Sequence, residues 1–69
     1  MKYMKKLKPI QCRYWFRHYD SDEEVEYDIN KVILDLQNHG YSIVDVVIDY
    51  VKFNIETTQY KYSITILYK

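Results

Sequence analysis

The sequence predicts a small α+β domain in strand–helix–strand–strand order, one helix packed on a three-stranded, mainly antiparallel sheet. Two observations carry that expectation. Only one stretch spaces its apolar residues at helical period, and three others alternate or run apolar as strands do. Length supplies a third: 69 residues make one domain at most, so 1–69 is read as a single unit.

Residues 1–8, Met-Lys-Tyr-Met-Lys-Lys-Leu-Lys, form a basic lead-in. The first strand, β1, is predicted over about residues 9–19, with Pro9 at its start, where a missing N–H costs least. Ile10, Cys12, Tyr14 and Phe16 alternate with Gln11, Arg13, Trp15 and Arg17, which reads as a half-buried strand with the first set inward. Ser21 followed three residues later by Glu24 is a capping-box signature. Val25, Ile29, Val32, Ile33 and Leu36 then make the apolar stripe of an amphipathic helix, α1, over about 22–39, with His39 and Gly40 at its stop.

The second strand, β2, is expected over about 42–56. Val44, Val46 and Ile48 share one face there, while Val51, Phe53 and Ile55 fall on the opposite parity. A one-residue phase change inside a strand calls for a β-bulge or a change in the covered face. A loose turn at 57–59 leads to the third strand, β3, over about 60–68, with Tyr60, Tyr62, Ile64, Ile66 and Tyr68 on one face. The predicted helix is about 27 Å long, whereas a strand of some 15 residues reaches about 50 Å. One helix cannot cover the β2–β3 hairpin. Its uncovered end, with Val51, Phe53, Ile55, Tyr60 and Tyr62, is the candidate oligomer surface.

Composition removes several function classes. Ten basic and ten acidic side chains leave no net charge, which argues against a general nucleic-acid binder. No apolar run is long enough to span a membrane, and no hydrophobic signal core follows the basic start. One cysteine, Cys12, rules out an internal disulfide and suits a reducing, cytoplasmic location. Its alternation with apolar neighbours reads as a small buried hydrophobe rather than a reactive thiolate. Cys12, His18 and His39 form no paired-ligand motif for zinc. Abundant tyrosine, isoleucine and lysine, with one glycine and one proline, match AT-rich coding in low-GC bacteria and their phages.

Three groups of residues are weighed for function. Arg13, Trp15 and Arg17, on the face of β1 read as pointing away from the helix, could form a protein interface, since Trp and Arg dominate hot spots. They could instead hold a phosphate-bearing ligand by charge and stacking, or simply be a solvated face. Asp20, Asp22, Glu23, Glu24, Glu26 and Asp28 crowd the helix start; they are either an acidic docking patch or a favourable complement to the helix dipole. Asp45 and Asp49 lie about 13 Å apart along a strand, beyond the roughly 5–9.5 Å of paired glycosidase carboxylates, and read as solvated. No catalytic residue, metal or cofactor is expected.

The strings Asp-Ser-Asp-Glu-Glu-Val-Glu-Tyr-Asp-Ile-Asn-Lys (20–31), Ser-Ile-Val-Asp-Val-Val (42–47) and Tyr-Ser-Ile-Thr-Ile-Leu-Tyr-Lys (62–69) resemble a family of tiny sporulation-associated proteins of bacilli and their phage relatives. The likeness spans about residues 10–69; a longer basic lead and a longer second strand depart from it. It implies the same strand–helix–strand–strand fold, no enzymatic activity, and no transferable functional residue.

The expected function is therefore a small non-enzymatic binding protein, a homo-oligomer (dimer or tetramer) acting by protein–protein contact. A phage-encoded inhibitor of a host or defence protein fits that description. The alternatives are a sponge or sensor for a nucleotide-type ligand held between subunits through Arg13 and Arg17, and a sporulation-associated or structural protein.

Overall fold

The last strand of the chain takes the middle of the sheet. The computed structural model describes residues 9–69, so the basic lead-in at 1–8 lies outside the described residues. Its elements are β1 (Gln11–Tyr19), α1 (Asp22–Asn38), β2 (Ile43–Asn54) and β3 (Gln59–Tyr68), with sheet order β1-β3-β2. β3 is antiparallel to both neighbours, so β1 and β2 run parallel on either side of it. This is the predicted α+β fold with its long β2–β3 hairpin, and each boundary falls within two residues of expectation.

Local chemistry explains the helix ends. Ser21 is the N-cap: its Oγ accepts from the Glu24 N–H at 3.4 Å. Glu24 reaches back one residue further than a standard capping box, its Oε2 accepting from Asp20 N–H at 3.0 Å. At the other end, Tyr41 N–H donates to Leu36 O and Gly40 N–H to Gln37 O, both at 3.0 Å, which is a Schellman motif closed by Gly40 at φ +87°. A Cβ at position 40 would meet nothing within 4 Å, so only the backbone resists a side chain there. Gly40→Ala is expected to cost about 1–2 kcal/mol, measurable by urea unfolding.

The core forms where α1 lies across the central strand. Tyr19, Val25, Ile29, Leu36, Ile64, Ile66 and Tyr68 are buried, with Trp15, Val32, Ile33, Ile43, Val46 and Tyr62 packed against them. Ile64 and Ile66 are fully enclosed because β3 has a strand on each side and the helix above.

Cross-strand register overturns the predicted orientation of β1. Arg13 pairs with Ile66, Trp15 with Ile64 and Arg17 with Tyr62, so this set shares the helix face with the core isoleucines. Cys12, Tyr14 and Phe16 point away from the helix, and all three are exposed. Cys12 is therefore not the buried hydrophobe that alternation suggested. The physical reason is that β1 is an edge strand. Its arginine stems can lie over the flank of the helix with their charged heads outward, and Trp15 and Tyr19 find polar partners for their tips.

β2 carries two irregularities, between Ile43 and Asp45 and between Tyr50 and Lys52. The second leaves Val51 without a cross-strand partner and returns Phe53 to the face of Tyr50, which accounts for the predicted phase change. The first corrects the expected Val44–Val46–Ile48 face: Val44 is the bulged residue, and Ile43 joins Val46 and Ile48. Asn54 Oδ1 accepts from the Glu56 and Thr57 N–H groups to shape the turn, where Thr58 adopts φ 54°.

Candidate interaction surface

On the helix face, β1 is tied to α1 by a chain of polar contacts. Trp15 Nε1–H donates to Tyr19 Oη at 2.8 Å, and Tyr19 O–H donates to Asp28 Oδ2 at 2.8 Å. Arg17 donates to the same oxygen at 2.5 Å while its guanidinium stands 5.0 Å from the centre of the Tyr19 ring. Arg13 lies 3.8 Å from Asp35 Oδ2. The Arg13, Trp15 and Arg17 triplet shares one face of β1, but the helix face and not the predicted open one, and its charges are answered by acids of this chain. Burial is the largest influence on the Tyr19 hydroxyl and raises its pKa above the ordinary tyrosine value; Trp15 opposes the rise and Asp28 adds to it.

The acidic helix start is similarly occupied. Asp22 Oδ1 accepts from Tyr62 O–H at 3.0 Å, and Asp20 Oδ1 accepts from Gln59 Nε2–H at 2.9 Å. Glu24 caps the helix and Asp28 holds Arg17 and Tyr19, leaving Glu23 and Glu26 as the solvated members. Burial raises the Tyr62 pKa too, with the Asp22 hydrogen bond next in size.

Beyond the start of the helix the hairpin continues as an aromatic row. Phe53 and Tyr60 have ring centroids 4.8 Å apart, and Tyr50 sits 5.7 Å from Tyr62. Val51, Phe53, Ile55 and Tyr60 are exposed as expected, Ile55 to 81%. Tyr62 is not: it is half-buried against the core and tethered to Asp22. A hydrogen-bonded hydroxyl and a seat against Tyr19 remove it from the candidate oligomer surface.

The surface that sequence reasoning missed is the opposite side of the sheet, left open because the only helix among the described residues lies on the other face. Four rows cross it from β1 through β3 to β2: Cys12–Leu67–Asp45, Tyr14–Thr65–Val47, Phe16–Ser63–Asp49 and His18–Lys61–Lys52. Tyr14 is 59% and Phe16 50% exposed, although Lys61 Nζ stands 4.1 Å from the Phe16 ring centre. Tyr14 and Phe16 were named in the alternation; the missing signal was which set faces the helix. No three His, Cys, Asp or Glu side chains among the described residues are arranged to hold a metal ion, and none of their helices is long and apolar enough to cross a membrane.

Comparison with protein-family models, curated proteins and solved structures finds no match for the chain. The reading of function rests on the surface itself.

Proposed function

We propose that this chain is a small binding protein, not an enzyme, that works by protein–protein contact and assembles with copies of itself. The observation that supports it is the aromatic pair Tyr14 and Phe16, half exposed on the β1 edge of a sheet face that no helix among the described residues covers. Adjacent exposed aromatic side chains on an uncovered sheet face suit an interaction site, and a domain this small gains from a second copy what the one helix among the described residues leaves unburied. Stoichiometric occupation of a target, as by a phage-encoded inhibitor of a host protein, is one form of this reading, since it needs a surface and no catalytic group. The nucleotide-sponge reading loses ground because Arg17, and more distantly Arg13, already face carboxylates.

Sedimentation velocity over a concentration series tests the proposal. The wild type is expected to shift from monomer to dimer in the micromolar range. Half of an aromatic side chain's roughly 200 Å² at about 25 cal/mol per Å² sets an upper bound of some 2.5 kcal/mol on its share of association, from which the ordering costs of binding are subtracted. Phe16→Glu should therefore raise the dimer dissociation constant about tenfold without altering the far-UV circular dichroism. A wild type that remains monomeric throughout would sink the self-association.

A further inference from the structure

The open face is polarised along the strands. Its two middle rows carry Tyr14 and Phe16 on the β1 edge, Thr65 and Ser63 on the central strand, and Val47 and Asp49 on the β2 edge; Asp45 stands at one end and His18, Lys61 and Lys52 at the other. Asp45 and Lys52 stand three rows apart, about 20 Å at strand spacing, too far to pair within one chain. Among the described residues neither has an ion-pair partner.

We propose that two copies of this chain dock open face to open face about a two-fold axis running across the strands, with Asp45 of each copy meeting Lys52 of the other. The proposal rests on the self-association read above and assigns it a surface and a register. A two-fold interface must be self-complementary, and of the axes along and across the strands only the second opposes unlike charges at the ends of this face. An axis parallel to the strands lays β1 of one copy over β2 of the other and sets His18 above Lys52, basic end on basic end. An axis across the strands, placed between the second and third rows, sets Tyr14 against Phe16 and Val47 against Asp49 of the second copy, the carboxylate of Asp49 lying at the β2 edge of the interface. It brings the acidic end over the basic end twice, by symmetry. Aligned sheets within about 30° of each other pack at about 10 Å in this manner. Each copy contributes twelve residues, four rows of three, fewer than the roughly 20–30 a side of a standard interface, so the dimer is a weak one.

Charge exchange in sedimentation velocity tests the register. Asp45→Lys and Lys52→Asp should each weaken dimerisation about tenfold, because each turns two attractions into two repulsions. The double variant Asp45→Lys/Lys52→Asp should restore it, as should an equimolar mixture of the two single variants, now forming a mixed dimer. Lys52→Asp keeps the test open if Asp45→Lys disturbs the bulge beside which Asp45 Oδ1 accepts from Val46 N–H. A dimer indifferent to both reversals overturns the assigned face while leaving self-association in place. Weakening without rescue in the mixture overturns the Asp45–Lys52 register. A wild type monomeric at every concentration reached overturns both readings and gives the face to a foreign protein.

Discussion

Ile66→Ala should leave a large part of the protein unfolded at physiological temperature. Ile66 is fully enclosed, with Arg13 opposite it on β1, Val46 opposite it on β2 and the helix above. Truncating a buried isoleucine to alanine costs about 2–5 kcal/mol, the spread depending on how far the site collapses. A domain of this length has roughly 3–10 kcal/mol in total. The substitution thus removes a large share of the margin, and a central strand flanked on both sides has little freedom to close the void. Urea unfolding followed by tryptophan fluorescence, with Trp15 opposite Ile64 as reporter, measures the loss. A midpoint within about 0.5 kcal/mol of wild type would mean that the helix does not pack where described. Phe16→Ala is the control: on the open face it should leave monomer stability nearly unchanged.

What could be read from sequence divides along the range of the interaction. The helix and its ends were legible because the Ser21 cap, the Val25–Leu36 stripe and Gly40 act within one or two turns. The phase change within β2 was legible too, because Phe53 and Ile55 change parity relative to Val46 and Ile48, although the pattern left open whether a bulge or a change of covered face produced it and counted Val51, the bulged residue, with Phe53. The bulge at Val44 was not, since Ile43 through Ile48 offers apolar residues to both faces and local pattern cannot choose between them. β1 failed for the same reason on a larger scale. Ile10, Cys12, Tyr14 and Phe16 look more apolar than Arg13, Trp15 and Arg17, yet the helix takes the second set. Asp28, nine residues beyond Tyr19, decides this by accepting from both Tyr19 and Arg17. A length comparison correctly exposed the hairpin end, but it could not foresee that Tyr62 would find Asp22.

That deciding role of Asp28 makes it the second site of large effect. Asp28→Ala removes the acceptor from the hydroxyl of Tyr19, a residue only 1% exposed. An orphaned buried donor costs about 1–3 kcal/mol, and loss of the more exposed Arg17 pair adds at most about 1 kcal/mol. Asp28→Asn keeps a carbonyl oxygen in place and should recover most of the loss, which separates the hydrogen bond from the charge. The two variants also differ with pH. Burial, aided by Asp28, holds the Tyr19 pKa above its ordinary value of 10.0, as burial and Asp22 do for Tyr62. Their contribution to stability is therefore complete below about pH 10 and is lost as pH rises through the higher folded-state values, where the unfolded chain has already released its protons. Removing the Asp28 charge lowers the folded Tyr19 pKa, so tyrosinate absorbance in Asp28→Asn should appear at lower pH than in wild type while the Tyr62 transition stays in place. Coincident titration curves in the two proteins would show that Asp28 is not the partner that orients β1 on the helix.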